Sequence, residues 1–115
     1  MCALAAALVV PAAYAVTVRP PSRIQVTSSE FEFVLSRTKV RQGRTILQLV
    51  NLGEDPHDLA IRRVAPDART YTTKELGPEG ITSISFRLYP GRYALWCTIA
   101  DHRAQGMRAV LMVTK

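Results

Sequence analysis

The chain has 115 residues, enough for one domain with a single hydrophobic core. Hydrophobic residues make up 48% of it and charged residues 21%, which excludes an intrinsically disordered chain. The formal net charge of +6 favours acidic partners. The arginines are scattered along the sequence, with no basic run and no interleaved aromatic residues, so nucleic-acid binding is not expected.

Residues 1–15 have the pattern of an export segment. An apolar run ends in Ala13–Ala15, a small-x-small motif, and we expect cleavage after Ala15. No Lys or Arg precedes the run, so the alternative is a longer run that begins upstream and is kept as a membrane anchor. As it stands, the run is shorter than the roughly 20 apolar residues that span a bilayer. Cys2 lies in this segment, so the remaining domain has one Cys and no internal disulfide.

Residues 16–23 contain two consecutive prolines and are predicted to form an extended linker. Residues 24–115 then form one β-rich domain, in which apolar and polar residues alternate in short runs and Gly and Pro mark the turns. The predicted strands cover Ile24–Val26, Phe31–Leu35, Thr45–Asn51, Leu59–Ile61, Ile81–Leu88, Tyr93–Cys97 and Ala109–Val113.

About seven short strands without a helical period indicate a two-sheet antiparallel sandwich or a barrel. Thr45–Asn51 is apolar on both faces except at Gln48, which predicts a central strand. Residues 62–80 show no clear period, and we expect a long connection there with one helical turn.

One stretch near the C-terminal end of the sequence carries three metal-binding side chains. Cys97, His102 and Met107 are separated from one another by four residues, and the only other His is His57, which follows a cluster of turn residues. One thiolate, two imidazoles and a weak axial thioether are the donors of a blue-copper electron-transfer centre. Each residue taken alone would be an ordinary core or loop residue. Together they predict one copper site at one end of the two sheets.

These residues give the chain a resemblance to the cupredoxins, the small blue-copper proteins that include plastocyanin, azurin and rusticyanin. The resemblance covers residues 24–113. Its motifs are FEF at Phe31–Phe33, the turn at Asn51–Leu59, the run at Leu88–Cys97 and the ending HRAQGM. It implies a Greek-key β-sandwich that binds one type 1 copper ion.

The resemblance implies that His57, Cys97 and His102 bind the metal in a near-trigonal plane, with Met107 as the axial ligand. It also implies that His102 lies near the surface in an apolar rim and is the port for electrons. The small residues Ala104 and Gly106 would let a partner approach closely there.

Two positions depart from the family pattern. Ala100-Asp101 stands where the family often has Pro-Gly, directly before the loop His. Asp58 stands where plastocyanin and azurin have an Asn whose amide helps to tie the two ligand loops together. Because an ionised carboxylate only accepts hydrogen bonds, the sequence leaves open how these loops are joined.

The expected function is that of a one-electron carrier, exported to the periplasm or the cell exterior or anchored on the outer face of a membrane. We expect a monomer that is not an enzyme, with a redox partner that is acidic at the contact surface. A copper storage or delivery protein would use the same four ligands, and a metal-free module of this fold is a third possibility. Zinc could occupy the same ligands in vitro.

Overall fold

The structure is a computed structural model that describes residues 5–15 and 18–115. Residues 1–4, which include Cys2, and residues 16–17, at the start of the predicted linker, lie outside the described part. No helix in the described residues is long and apolar enough to cross a membrane. All regular structure in them is β-strand, as predicted.

Nine strands form two sheets within residues 5–15 and 18–115. They are β1 (Ser22–Ser29), β2 (Glu32–Leu35), β3 (Lys39–Arg41), β4 (Gly43–Asn51), β5 (Ala60–Arg63), β6 (Thr70–Thr72), β7 (Ile81–Leu88), β8 (Gly91–Trp96) and β9 (Arg108–Thr114). One sheet has the order β2-β1-β4-β7 and the other the order β3-β9-β8-β5-β6. The two-sheet prediction is confirmed, with β1 starting inside the predicted linker.

The prediction of purely antiparallel sheets is wrong. β1 pairs with β4 in parallel, and β3 pairs with β9 in parallel, while the other neighbours are antiparallel. After the β1–β2 hairpin the chain crosses to the other sheet at β3 and returns to lie beside β1. A parallel pair needs such a crossover, whereas a tight hairpin gives an antiparallel one. Alternation of apolar residues does not reveal strand direction, so the sequence pattern could not predict these pairs.

The two strands that raise the number from about seven to nine are only three residues long. β3 carries a single buried side chain, Val40, and β6 lies inside the connection that was expected to hold a helical turn. That helical turn does not occur in the described residues. β6 adds to the edge of the sheet by pairing with β5. A three-residue strand is too short for its alternation to be recognised.

The core fills the space between the two sheets. Its centre is made of inward-facing side chains of β1, β4, β8 and β9. These side chains are buried, and they include Ile24, Val26, Leu47, Leu49, Leu95, Leu111 and Val113. β4 lies between β1 and β7, so the prediction of a central strand is confirmed. A closely packed layer of this kind holds the ends of the strands in fixed positions.

Truncation of a central core residue should destabilise the whole domain. Leu47 is 0% exposed, and we expect Leu47→Ala to lower the free energy of unfolding by about 2–5 kcal/mol, since it leaves a cavity. Val34 is 56% exposed on the same sheet, and Val34→Ala should change stability by no more than about 0.5 kcal/mol. Urea denaturation of both variants tests this difference. Equal losses would contradict the assigned strand faces.

Candidate metal centre

The strand register brings two distant loops to the same end of the five-stranded sheet. Ala60 at the start of β5 pairs with Trp96 at the end of β8, and Trp96 also pairs with Arg108 at the start of β9. The residues just before β5, just after β8 and just before β9 therefore meet. His57 lies in the first of these positions, Cys97 in the second and Met107 in the third.

Three of the four predicted ligands lie together. One nitrogen of His57, one nitrogen of His102 and the Sγ of Cys97 all fall within 4.8 Å of one another. The Nδ1 of His102 is 3.7 Å from the Sγ of Cys97. Exposed fractions are 0% for His57, 1% for Cys97, 7% for His102 and 0% for Met107, so all four residues are buried.

His57 is held at both its backbone and its ring. Its backbone forms an isolated bridge with Leu76, through hydrogen bonds of 3.0 and 2.8 Å. Its Nε2 lies 3.0 Å from the Oε1 of Glu30. A carboxylate can only accept, so Nε2 is the donor and the neutral ring keeps its lone pair on Nδ1. This Nδ1 is buried, with no hydrogen-bond partner among the described residues.

Glu30 sits at the tip of the β1–β2 hairpin and joins it to the His57 loop. Besides the His57 ring, its Oε1 accepts a hydrogen bond of 2.7 Å from the backbone N–H of Asp55. This bond, and then the bond from His57, keep the pKa of the Glu30 carboxyl below its ordinary value. A side chain at Gly53 would occupy the space that the carboxylate fills. The hairpin and the loop thus fit together around an ionised carboxylate.

Asn51 shapes the turn that leads to His57. Its side chain is fully buried and donates to the backbone oxygens of Asp55, Leu76 and Gly77 at 2.9, 3.0 and 3.1 Å. Its Oδ1 accepts from the N–H of Gly53 at 2.9 Å. One side chain therefore satisfies backbone groups on both sides of the His57–Leu76 bridge and fixes the path of the loop.

The second loop folds back on itself between β8 and β9. Cys97 N–H donates to the Met107 oxygen at 3.1 Å, and Met107 N–H donates to the His102 oxygen at 3.1 Å. Gly106 has a φ of 120°, and a Cβ there would lie 3.3 Å from the Phe31 oxygen. Position 106 therefore favours glycine, because other residues rarely adopt this backbone conformation.

Asp58 joins the two ligand loops. Asp58 follows His57 in the chain, and Thr98 follows Cys97. The backbone N–H of Thr98 donates to Asp58 Oδ1 at 2.7 Å, and the Thr98 hydroxyl donates to Asp58 Oδ2. Thr98 supplies two donors, so an acceptor-only carboxylate is fully matched here. Asp58 therefore joins the two loops at the position where plastocyanin and azurin have an Asn.

Aromatic rings close the site on the side of the β1–β2 hairpin. The Phe31 ring lies 4.7 Å from the His102 ring and 6.4 Å from the His57 ring, and the two imidazole rings are 5.1 Å apart. Burial also raises the pKa of the Cys97 thiol above its ordinary value of 9.0, so the metal-free protein holds a protonated thiol at neutral pH.

Sequence reasoning found the cluster but missed residues that hold it. Glu30, Asn51 and Thr98 carry no recognisable spacing relative to His57 or Cys97, since they come from other strands and turns. The Asp at position 58 indicated that hydrogen-bond donors lie close to it, because a buried acceptor requires such donors. At the other departure, Ala100 takes a φ of 45°, a conformation more usual for glycine, and Asp101 is exposed.

No family model matches the sequence, and no curated protein matches it. Solved structures do match. Dithionite-reduced auracyanin from Roseiflexus castenholzii has a TM-score of 0.68 at 21% identity, over 84% of this chain and 100% of that chain. Auracyanin A, a blue copper protein from Chloroflexus aurantiacus, has 0.67 at 13%, over 83% and 100%. Reduced rusticyanin has 0.61 at 17%, over 84% and 82%.

The chain has the cupredoxin fold. At these identities the likeness is one of fold, and it confirms the resemblance that the sequence motifs carry. The cupredoxin sandwich also accounts for the mixed sheets and for the meeting of the two loops at one end.

The raised pKa of Cys97 predicts a pH dependence of stability. The folded protein holds the thiol proton more tightly than the unfolded chain does, so this contribution is present below pH 9.0 and is lost as the pH rises through the folded-state pKa. Between neutral and alkaline pH the metal-free protein should therefore lose more stability than a Cys97→Ser variant, which lacks the thiol. Urea denaturation along a pH series measures both. Parallel stability curves would contradict the prediction.

Proposed function

We propose that this chain is an exported type 1 copper protein that carries single electrons. His57, Cys97 and His102 would hold the copper as principal ligands, and Met107 would supply a weaker thioether ligand. Bound copper would alternate between Cu(II) and Cu(I), which is the chemistry of one-electron transfer. The observation that carries the proposal is the buried Nδ1 of His57, which has no hydrogen-bond partner among the described residues. It belongs to a ring that contributes one nitrogen to a cluster of three donor atoms within 4.8 Å of one another.

The donor set fits this metal on chemical grounds. A buried polar nitrogen without a hydrogen bond costs about 1–3 kcal/mol, so its persistence at 0% exposure calls for another partner. A metal ion is such a partner, and the ionised Glu30 fixes the ring tautomer that leaves this nitrogen free. Thiolate and imidazole suit both oxidation states of copper.

The surroundings would keep the ligands in place while an electron enters or leaves. Glu30 orients the His57 ring, Asp58 ties the His57 loop to Thr98, and the β8–β9 hairpin bonds fix Cys97 and Met107. Burial of all four ligand residues excludes water. His102, at 7% exposed, is the least buried of them and is the proposed port for electrons.

An electron carrier is favoured over an enzyme. The fold also matches part of a multicopper oxidase and part of a copper nitrite reductase, of which the chain covers 46% and 32% of the length. Both His residues of these 115 residues lie in the one cluster, so no second histidine-rich copper centre can be built from them. The exported location rests on the segment at residues 1–15.

The proposal predicts a coloured, reversibly reducible protein. Addition of Cu(II) to the metal-free chain should give an intense visible band from thiolate-to-copper charge transfer, which bleaches on reduction and returns on oxidation. Cys97→Ser should abolish the band, because the thiolate is its source. Cys2→Ser, the same change at the only other Cys, should leave it unchanged.

Two outcomes would overturn the proposal. A band that survives Cys97→Ser would show that the thiolate is not a ligand. A colourless protein that holds Cu(I) tightly and resists oxidation would favour copper storage or delivery instead.

The Glu30 carboxylate should tune the reduction potential. Glu30→Gln keeps an oxygen that can accept from His57 Nε2 but removes a negative charge beside the ligand, and that charge favours the more positive Cu(II) state. We expect the potential to rise by some tens of millivolts, since about 59 mV is a tenfold change for one electron. Cyclic voltammetry of the copper-loaded variant measures the shift.

Glu32 offers the matched control. It lies two residues further along and is exposed, and its Oε1 accepts a hydrogen bond from the Ser29 hydroxyl at 3.5 Å. Glu32→Gln should shift the potential much less, because Glu30 is the carboxylate that lies 3.0 Å from the ring nitrogen of a proposed ligand. Equal shifts in the two variants would mean that net charge, and not the bond to His57, sets the effect.

A further inference from the structure

The fold gathers scattered cations onto one face. Side chains on the outer face of the five-stranded sheet have the opposite parity to the core residues. The cations of this outer face are Lys39, Arg41, Arg62, Arg92, Arg103 and Arg108. The sequence showed only dispersed arginines, because strands far apart in the chain contribute to the face.

No carboxylate on the strands of the five-stranded sheet balances this charge. Of the nine Asp and Glu residues in the chain, only Glu32 lies in a strand, and that strand belongs to the other sheet. In the described part of the chain, the only carboxylate within 4.0 Å of a basic side-chain nitrogen is Glu30, beside the His57 ring, so none of the six cations is paired. Like charges on neighbouring strands lower stability, so the fold alone does not explain their accumulation.

The centre of the outer face is apolar. The register places Trp96 opposite Arg108, Ala94 opposite Val110 and Arg92 opposite Met112. Val110 and Met112 are 38% and 42% exposed. Cations therefore surround a strip of apolar side chains that face solvent.

A groove runs beside this strip. It has a volume of about 620 Å³ and lies between Trp96, Ala94, Arg62 and the segment that follows β5. The Arg103 guanidinium lies 4.6 Å from the centre of the Trp96 ring, a cation–π contact that holds the guanidinium at the groove. An apolar side chain entering this groove would be flanked by three arginines, Arg62, Arg63 and Arg103.

The composition of the face favours a protein over a membrane. Five of its six cations are Arg, and its apolar part includes Trp and Met. These three residue types are enriched in protein interfaces, whereas Lys is depleted there. Arg also pairs with carboxylates through two parallel hydrogen bonds, which gives a defined orientation.

We propose that the outer face of the five-stranded sheet is a docking surface for an acidic protein. The arginine rim pairs with carboxylates of the partner, and the groove beside Trp96 accepts an apolar side chain. The surface borders the metal site at Trp96, Arg103 and Arg108, but it contains none of the four proposed ligands and does not depend on bound metal. Its existence is therefore independent of the proposed copper function.

The test measures binding of the full, metal-free chain to a strongly acidic probe, a plant-type ferredoxin, at low ionic strength. Amide chemical-shift mapping should place the contact on β8, β9 and the Arg103 loop, and added salt should weaken it. The triple variant Arg62→Gln, Arg92→Gln, Arg108→Gln should bind about tenfold more weakly, since each exposed pair contributes a few-fold.

The opposite sheet supplies a control with the same change in charge. Arg23, Arg44 and Arg87 are exposed on the outer face of the four-stranded sheet, and their triple replacement by Gln should weaken binding by no more than about twofold. Equal weakening by both triple variants would overturn the proposal in favour of net charge alone. Circular dichroism checks that each variant is folded.

Two further outcomes would also overturn it. One is the absence of any binding to ferredoxin at low salt. The other is binding to phosphatidylcholine vesicles that contain phosphatidylserine, through the same face, without binding to ferredoxin. That result would assign the surface to an anionic membrane.

Discussion

The site depends on a hydrogen-bonded link between two loops that are distant in the chain. Asp58 follows His57, Thr98 follows Cys97, and the carboxylate of one accepts both donors of the other. Each partner is the immediate neighbour of a proposed ligand, so any movement of one loop is transmitted to the other. A hydrogen bond to a charged group contributes about 1.5–3 kcal/mol to stability, whereas a bond between neutral groups contributes about 1 kcal/mol.

A second set of contacts determines where the His57 ring points. Glu30 holds Nε2 from outside, Asn51 fixes the turn, and Phe31 packs near both imidazole rings. The result is a buried nitrogen whose hydrogen-bonding capacity no described residue satisfies. Proteins retain such a group where function requires it, and the stability lost there is offset by packing elsewhere. Here the offset comes from the continuous core between the sheets.

Some of this organisation could be predicted from the sequence and some could not. The spacing of Cys97, His102 and Met107 lies within one loop, so it is visible in the sequence. The central position of β4 was also predictable, because its residues are apolar on both faces. Glu30 bonds to His57, which is 27 positions away, and Asn51 bonds to Leu76 and Gly77, which are 25 and 26 positions away; no local pattern encodes these contacts. Parallel pairing is likewise invisible, since alternation of side chains is the same in either strand direction.

The grouping of the cations shows the same limit on a larger scale. Arg62, Arg92 and Arg108 are far apart in the chain and become neighbours only through the register of β5, β8 and β9. The sequence supplies their number, and the sheet supplies their arrangement. Cationic residues that are scattered along the sequence can therefore still produce a positive potential on one surface, since strand order can bring them together.

The position of β9 has a consequence for biosynthesis. Although it is the final strand of the sheet in chain order, it lies in the interior, between β3 and β8. Until residues 108–114 have left the ribosome, β3 has no partner in this sheet and β8 lacks one of its two neighbours. The sheet can therefore be completed only after the chain has been synthesised through residue 114, even though four of its five strands come earlier in the chain.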